Sequence, residues 1–368
     1  MTAVTKIAIT SVGSLVGQNI LDALEGRRTG IEVVGINSTA DAAGIFRCDR
    51  AYLAPPAADA EQFRARLASI LLEERPHLVL PGRDADVLAL ARLKEELALL
   101  RPALPVGPQQ LALALEDKWA SCLFAAEHGL PYVDSAPADD RAAVDRLLSS
   151  HGYPLIAKPR AGNGSRGVRI VFDEAQCSAI ARQPGYLLQA YLEPEADLPS
   201  WKDLAKEGTP LFHAPRLRQL ACQAVIGPDG SVRGLTCTVV ELVMGRLERA
   251  DCLDDPAVTE VARRWVEALA AEGWMGALNV QGRRDAGGTF RVYELNGRFT
   301  GGTNARTHLG FDEVGILIEA FAGHALPPHR SVGRLGLVTK SLSDFPVLSA
   351  DIEQLRSEGH WQRVETRR

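Results

Sequence analysis

The chain has 368 residues and a mass of 39.7 kDa, which predicts two or three domains rather than one compact unit. It is 46% hydrophobic and 24% charged, a composition that is typical of globular proteins and excludes disordered, collagen-like and coiled-coil chains. The formal net charge of -5 excludes an overall basic field for nucleic acid or an anionic membrane, so an anionic ligand has to be bound locally.

The six cysteines form no Cys-x-x-Cys pair, and a chain of this length does not depend on disulfides. We therefore expect reduced thiols, and we interpret the equal spacing of Cys222, Cys237 and Cys252 as coincidence. The sequence contains no run of about 18 apolar residues and begins with a strand pattern rather than a signal peptide. These features predict a cytoplasmic protein.

Residues 1–110 alternate predicted strands and helices, with strands at 6–10, 32–37 and 77–81. This alternation predicts crossover connections and a parallel sheet, and the intervening segments have the apolar periodicity of helices. We therefore expect an open α/β domain at the N-terminus.

The first predicted strand is followed by a Gly/Ser turn at residues 11–17, but the Gly-x-Gly-x-x-Gly motif of dinucleotide sites is incomplete. The second strand ends in Asn37 instead of the acidic residue that binds a ribose. A nicotinamide cofactor is the alternative here. The preferred interpretation is a tight turn that packs a helix on a sheet.

The remaining chain divides into three stretches. Residues 111–190 predict a small α+β unit that can move as a lid, and residues 191–330 predict a larger mixed unit. Residues 331–368 contain a predicted strand at 335–340 and a polar tail. Residues 198–215 are interpreted either as part of a substrate pocket or as a mobile surface insertion.

A glycine-rich loop follows a buried strand at residues 153–159, which ends near Lys158. In the loop at 160–167, glycines let several N–H groups turn toward one anion, and lysine and arginine add full charges. This combination suits a triphosphate. It differs from the helix-opening P-loop because a strand follows it. The alternative is a flexible hairpin loop with a surface lysine.

A second polar cluster lies on two predicted strands joined by a turn at residues 285–288. Because alternate side chains of a strand share a face, the polar side chains of both strands lie together. This polar face contains Asn279, Gln281, Glu294, Asn296 and Arg298. The opposite face contains Tyr293 and Leu295.

The turn predicts a register that places Asn279 opposite Glu294, with Gln281 diagonal to it. Carboxylate and amide oxygens are ligands that Mg²⁺ accepts in nucleotide sites. Gln281, Glu294 and Asn296 are therefore candidate metal ligands. The alternative is a solvated polar face, which is normal for an antiparallel hairpin.

Together these motifs resemble the ATP-grasp superfamily, and within it the single-unit relatives of the carbamoyl-phosphate synthase large subunit and biotin carboxylase. The resemblance covers roughly residues 5–330. It rests on Asp117-Lys118, on segments 154–168 and 189–193, on Asn279-Val280-Gln281 and on segment 294–303.

The resemblance implies a pre-ATP-grasp α/β domain at 1–110, followed by two α+β units of ATP-grasp type. These units are a small lid at 111–190 and a large subdomain with the metal site at 191–330, before a C-terminal strand and tail at 331–368. It also implies that ATP is held between the two α+β units. The implied ATP-binding residues are Lys118, Lys158, Gly162, Asn163, Gly164, Ser165, Gln189, Ala190, Tyr191, Leu192, Glu195 and Asp197.

Gln281, Glu294 and Asn296 match the family's magnesium positions, with Mn²⁺ as the alternative ion. Arg298 matches the arginine near the transferred phosphoryl group, so Arg298 and Lys158 are the implied catalytic residues. The implied activity is an ADP-forming carboxylate–amine ligase that acts through an acyl phosphate. Two alternatives stay open: phosphorylation of bicarbonate, as in carbamoyl-phosphate synthase or biotin carboxylase, and a non-catalytic nucleotide-binding regulator.

Candidate substrate residues follow the metal motif. Gly301, Thr303, Asn304 and Arg306 offer polar groups to a substrate carboxylate, whereas helix capping by Thr303 or Asn304 is the alternative. The expected partners are a small-molecule carboxylate and an amine, without nucleic acid or membrane. A homodimer and an associated amidotransferase subunit stay open.

Overall fold

The computed structural model describes residues 4–97, 104–162, 164, 166–192, 217–243, 245–333, 336–341 and 343–363. Its strands are β1 (Thr5–Thr10), β2 (Ile31–Asn37), β3 (Arg50–Leu53), β4 (Leu78–Leu80), β5 (Ser135–Pro137), β6 (Leu155–Pro159), β7 (Arg169–Val171), β8 (Tyr186–Ala190), β9 (Leu217–Ile226), β10 (Val232–Val243), β11 (Arg246–Cys252), β12 (Gly276–Arg284), β13 (Phe290–Asn296), β14 (Leu337–Thr339) and β15 (His360–Gln362).

Its helices are α1 (Leu15–Leu24), α2 (Ala60–Glu74), α3 (Asp84–Glu96), α4 (Gln109–Glu116), α5 (Lys118–Glu127), α6 (Arg141–His151), α7 (Glu174–Ala181), α8 (Pro256–Ala271), α9 (Thr303–His308), α10 (Glu313–Ala322) and α11 (Ser349–Glu358), with a short 3-10 helix at Ala43–Arg47. The described part of the chain has no helix long and apolar enough to cross a membrane. The fold is mixed α/β and contains three sheets.

The first sheet has the strand order β15-β3-β2-β1-β4, and its first four strands in the chain are parallel, as predicted. Parallel strands bring their carboxyl ends to one edge, where the loops after β1 and β4 meet. There the buried carboxylate of Asp86 accepts hydrogen bonds from Thr10 Oγ1 at 2.8 Å and Ser11 Oγ at 3.0 Å. Asp86 thus holds the two loops together.

The C-terminal region contributes strands to two different sheets. β15 pairs antiparallel with β3, and the edge-to-face rings of Trp361 and Phe46, 5.3 Å apart, pack it against the first sheet. β14 pairs with β11 of the large sheet and confirms a strand within the predicted range 335–340, of which residue 335 lies outside the described part. Two short strands of the described tail therefore pair with sheets of the protein.

The large sheet has the order β13-β12-β9-β10-β11-β14. Helix α8 packs on it and buries Trp265 and Val266 completely. Asp255 starts this helix by accepting hydrogen bonds from the N–H groups of Ala257 and Val258. The start of β12 and the end of β13 lie beside the first sheet, since Ala277 and Phe299 belong to the same buried cluster as Leu80 of β4.

Cys222 and Cys237 form a disulfide between β9 and β10. The prediction of six reduced thiols is wrong for this pair. The two cysteines occupy directly opposed positions of antiparallel strands, with their Cα atoms 4.0 Å apart, a relationship that depends on strand register and is not visible in sequence spacing. The described cysteines outside this disulfide are Cys48, Cys122, Cys177 and Cys252.

The small sheet has the order β5-β8-β6-β7, and its paired strands are antiparallel. The predicted glycine-rich loop connects β6 to β7. Gly162, Gly164 and Gly167 have φ angles of 125°, 64° and 75°, which side-chain-bearing residues rarely adopt. The glycines therefore permit the path of this loop.

Candidate active site

A cleft of about 1060 Å³ is lined by residues of the small and large sheets and by segments that follow β1 and β4 of the first sheet. The structure brings most of the predicted site residues to its wall. These are Lys118, Lys158, Gly162, Gly164, Gln189, Ala190, Tyr191, Leu192, Gln281, Glu294, Asn296, Arg298, Gly301 and Arg306. The predicted Asn163, Ser165, Glu195 and Asp197 lie outside the described residues, as do residues 198–215.

The register of β12 and β13 differs from the predicted one. Gln281 lies opposite Glu294, and Asn279 lies opposite Asn296 instead of Glu294. Two causes each shift the pairing by one residue. The turn is centred on Gly287, half a residue later than predicted, since Asp285 N–H bonds to the Thr289 carbonyl at 2.9 Å, and β13 contains a bulge.

The bulge places an extra residue, Tyr293, between Val292 and Glu294. Tyr293 and Glu294 both line the cleft, so the prediction that Tyr293 lies on the opposite face is wrong. Gly282 stands across from the bulge. A Cβ atom on Gly282 would lie 2.1 Å from the carbonyl oxygen of Arg291, so this close approach requires glycine.

Gln281, Glu294 and Asn296 supply one carboxylate and two amide groups on adjacent strands, a set that fits Mg²⁺. Gln281 Nε2 donates to Asn279 Oδ1 at 2.7 Å, which leaves the carbonyl oxygen of the Gln281 side chain as its acceptor atom. Asn279 is fully buried and in turn donates to the Cys222 carbonyl at 3.2 Å. The central strand β9 therefore orients the amide of Gln281.

Arg298 is buried and has partners in helix α3 and strand β13. Its Nη2 donates to Asp84 at 2.6 Å and to Asn296 Oδ1 at 2.9 Å. Burial alone would lower the pKa of Arg298, but the charge and hydrogen bond of Asp84, together with the charges of Glu294 and Asp86, outweigh burial and raise this pKa. The Nε atom has no partner among the described residues. The guanidinium thus remains charged, with a free donor for an anionic ligand.

Lys158 lies at the end of β6, with its ammonium group over the ring of Tyr293, 4.1 Å from the centroid. Burial lowers the pKa of Lys158 to about 8. The charge of Glu294 opposes this effect, whereas Lys118 and Arg283 add to it. A phosphate that approaches these cations would raise this pKa and stabilise the charged form of Lys158.

Lys118 begins helix α5 and contacts the glycine-rich loop, since its Nζ donates to the Gly162 carbonyl at 3.1 Å. Asp117 caps the helix by accepting from the Trp119 N–H and also pairs with Arg160. Burial would raise the pKa of Asp117, but these hydrogen bonds lower it. The helix start and the loop are therefore fixed to each other.

Residues 189–192, which the resemblance implies in ATP binding, have several polar groups bonded within the protein. Gln189 is buried in β8 and donates to Ser135 Oγ at 3.1 Å, while the Ala190 N–H is bonded to the Asp134 carbonyl. The Leu192 carbonyl accepts from Arg283 at 3.5 Å. Apolar side chains line the adjoining wall, namely Val133, Ile156 and Leu192. This wall suits a planar base.

Arg306 reaches the cleft but is 2% exposed and forms a buried ion pair with Glu313. Its Nη2 also donates to Thr300 Oγ1 at 2.9 Å and Gln223 Oε1 at 3.1 Å. Burial raises the pKa of Glu313, an effect that Arg306 opposes. The arginine is thus largely occupied by protein partners.

Thr303 and Asn304 are not among the described residues that line the cleft. Thr303 is fully buried, and its hydroxyl accepts from the Thr300 N–H at 3.1 Å. Gly302 is the N-cap of α9, so neither residue caps the helix as the alternative interpretation required.

Sequence reasoning missed two residues that touch the predicted catalytic groups, Asp84 and Tyr293. Asp84 lies shortly after β4, and ligands of open parallel sheets bind beyond the carboxyl ends of the strands. The position of Asp84 in the sequence could therefore have identified it as a candidate. Tyr293 could not be found from strand alternation, because the bulge reverses its side.

No family model matches the chain. Formate-dependent phosphoribosylglycinamide formyltransferase from Burkholderia lata is 31% identical over 172 residues, which are 46% of this chain and 40% of that protein. The protein of the same name from Sodalis glossinidius is 28% identical over 178 residues, 48% of this chain and 42% of that protein. The chain thus matches less than half of the length of these curated relatives.

Two solved structures are similar over most of the chain. N5-carboxyaminoimidazole synthetase from Staphylococcus aureus has a TM-score of 0.68 and 14% identity, over 97% of this chain and 86% of that chain. The biotin carboxylase domain dimer of Hydrogenobacter thermophilus 2-oxoglutarate carboxylase, in complex with MgADP, ADP and bicarbonate, has a TM-score of 0.64 and 19% identity, over 88% and 71%. These similarities show that the chain shares the fold of these two proteins, in agreement with the resemblance predicted from the sequence.

Proposed function

We propose that the protein is an ATP- and Mg²⁺-dependent ligase that joins a carboxylate to an amine through an acyl phosphate and releases ADP. The charge of the cleft supports this proposal most directly. Among the described residues that line it, Glu294 is the one carboxylate, whereas eight side chains are cationic. These are Arg83, Lys118, Lys158, Arg166, Arg169, Arg283, Arg298 and Arg306. In a chain of net charge -5, this concentration favours a polyanion such as a triphosphate.

The reaction follows from what a carboxylate lacks. It is anionic and has no good leaving group, so attack by an amine is slow until ATP has activated it. In the proposed sequence a carboxylate oxygen attacks the γ-phosphorus and ADP leaves. The amine nitrogen then attacks the acyl carbon, phosphate departs, and the nitrogen loses a proton.

The cationic side chains have distinct parts in this scheme. Lys118 and Lys158 lie near the glycine-rich loop and would contact the phosphates of ATP. Arg298 has the free Nε donor that the transferred phosphoryl group needs while charge builds on its oxygens. The loop at 161–167 would close over the acyl phosphate and keep water away.

Gln281, Glu294 and Asn296 would hold Mg²⁺, with Mn²⁺ as the alternative ion. When bound, the ion offsets negative charge on the phosphate oxygens and aligns them. Asn296 shares its side-chain oxygen with Arg298, so the metal position and the arginine are adjacent.

The domain boundaries remain predictions. The three sheets support the divisions 1–110, 111–190 and 191–330, whereas the strands of 331–368 belong to two of these sheets. A homodimer is supported by the dimeric biotin carboxylase neighbour. A cytoplasmic location and an amidotransferase partner also remain predictions.

Bicarbonate is the second candidate substrate, because one structural neighbour is a biotin carboxylase domain in complex with this anion. Transfer of ¹⁸O from labelled bicarbonate to phosphate would identify bicarbonate as the phosphorylated substrate. Unlabelled phosphate from an active reaction would exclude this candidate.

The proposal is tested by ADP release from the purified protein with ATP, Mg²⁺ and pools of carboxylates and amines. Glu294→Ala should abolish most of the substrate-dependent release, because it removes the carboxylate of the metal set. Glu353→Ala, at an exposed position of α11, is the matched control and should keep full activity. Full activity of Glu294→Ala would refute the assigned site.

A further inference from the structure

The bulge in β13 directs the ring of Tyr293 into the cleft. Regular strand alternation would place this ring on the opposite face of the sheet. Gln281 pairs with Glu294 and Gly282 pairs with Val292, so Tyr293 is the additional residue. A bulge commonly redirects a side chain next to a functional site. Here it places the ring of Tyr293 beside Lys158.

The position of the ring is fixed from two sides. The Tyr293 hydroxyl donates a hydrogen bond to Gln219 Oε1 on the central strand β9. The hydroxyl of Tyr132 lies 3.2 Å from both the Tyr293 and the Lys118 carbonyl oxygens, which share its single proton. The ring is therefore held by the large sheet and by the helix that begins with Lys118.

The face of the ring is directed at a cation. The ammonium group of Lys158 lies 4.1 Å from the ring centroid, well within the distance at which an aromatic face attracts a cation. Glu294, the next residue of β13, attracts the same ammonium group through space. A lysine that paired with Glu294 would neutralise the carboxylate of the proposed metal set.

We infer that Tyr293 is a positioning residue, whose ring holds the ammonium group of Lys158 toward the phosphates of ATP and apart from the carboxylate of Glu294. This inference rests on the proposed function. Tyr293 contributes no group to the chemical step. It acts through Lys158 by limiting the rotamers that the lysine adopts before the nucleotide arrives.

The charges around Lys158 agree with this role. Burial lowers the pKa of Lys158 to about 8, with Lys118 and Arg283 acting in the same direction and Glu294 acting against them. A ring face stabilises the ammonium form without introducing a further negative charge. Lys158 thereby stays available for phosphate.

The inference is tested by calorimetric titration of the full chain with MgADP. Tyr293→Phe keeps the ring and removes the hydroxyl, whereas Tyr293→Leu keeps an apolar side chain and removes the ring. We expect Tyr293→Phe to bind within about twofold of the wild type and Tyr293→Leu to bind about five- to twentyfold more weakly. Steady-state assays should show a higher KM for ATP in Tyr293→Leu, with a smaller change in kcat.

Two further measurements separate positioning from packing. Mono-, di- and trifluorinated phenylalanine at position 293 should weaken binding stepwise, since fluorine withdraws electron density from the ring face without changing its shape much. In a Lys158→Met background, Tyr293→Leu should cause no additional loss, because the two residues act as a unit. Thermal unfolding identifies any variant that fails to fold.

The outcomes distinguish the inference from the function on which it depends. If the wild type does not bind MgADP, the proposed function fails. If the wild type binds and folded Tyr293→Leu binds equally well, the inference fails and the proposed function stands. Equal binding across the fluorinated series, or an unchanged effect of Tyr293→Leu without Lys158, would also overturn it.

Discussion

The carboxylate of Asp84 accepts a hydrogen bond of 2.6 Å from the guanidinium group of Arg298, across a separation of 214 residues in the chain. Asp84 lies in the first turn of α3, beyond the carboxyl end of β4, and Arg298 follows β13. An ion pair between buried Arg298 and partly exposed Asp84 therefore joins α3 to the end of the large sheet. The orientation of Arg298 depends on both.

We expect Asp84→Asn to lower kcat by about 10- to 100-fold, because a misdirected guanidinium no longer stabilises the transferred phosphoryl group. The KM for ATP should change little, since Lys118 and Lys158 remain. Steady-state kinetics of ADP release measure both constants. Asp59→Asn, at an exposed position before α2, is the control. An unchanged kcat in Asp84→Asn would show that Arg298 does not need this partner.

Nucleotide affinity should depend on the protonation of Lys158, whose pKa burial lowers to about 8. The charged form attracts phosphate. The Kd of MgADP should therefore be nearly constant below about pH 8 and rise as the lysine loses its proton above it. Bound phosphate raises the pKa of Lys158, so the lysine titrates at a higher pH in the complex than in the free protein.

The control is Lys158→Arg. In this variant the rise of the Kd at high pH should disappear, because arginine stays charged. A wild-type Kd that is constant up to pH 10 would contradict this account.

The buried pair of Arg306 and Glu313 predicts a large effect on stability. Arg306→Met leaves Glu313, which is fully buried, without its ionic partner and should lower the free energy of unfolding by about 3–5 kcal/mol. The double variant Arg306→Met/Glu313→Leu should recover most of this loss. Urea denaturation measures these differences.

The double variant also tests the predicted substrate role of Arg306. If it is stable and retains substrate-dependent ADP release, Arg306 contributes to folding and not to substrate binding. If it is stable but inactive, the substrate contact is supported. If Arg306→Met lowers the free energy of unfolding by less than about 1 kcal/mol, the ion pair is weaker than we expect.

Gly282→Ala should disturb the site from the strand opposite the bulge. The new Cβ atom would lie 2.1 Å from the Arg291 carbonyl oxygen, so β13 has to move and carry Tyr293 with it. We expect a loss of about 1–3 kcal/mol in stability and weaker MgADP binding. Gly287→Ala, in the exposed turn, approaches only the Asp285 side chain at 3.3 Å and is the control. If both variants have the same stability and the same affinity for MgADP, position 282 does not require glycine.

Much of the architecture could be predicted because it depends on sequence patterns within single segments. Alternating strands and helices predicted the parallel sheet, and the glycine-rich loop after Lys158 was recognised from glycines whose positive φ angles the structure then showed. The metal-ligand candidates were brought together as predicted, although in a different register.

The features that were not predicted depend on contacts between segments that are distant in the chain. The bulge is a mismatch between two strands and moved Tyr293 into the cleft. The disulfide of Cys222 and Cys237 depends on strand register, and β15 joins β3 only after the whole chain has folded. The ion pair of Asp84 and Arg298 likewise depends on tertiary structure.

The central claim is that the cleft couples ATP cleavage to the joining of a carboxylate and an amine. The measurement that tests it most directly is ADP release with Mg²⁺ and ATP across pools of carboxylates and amines, with mass spectrometry of each active pool. The account predicts full ADP release only when both substrates are present, and a product lighter than their sum by one water. ADP release that requires no amine, or a protein that binds ATP but never releases ADP with any pool, would contradict the claim.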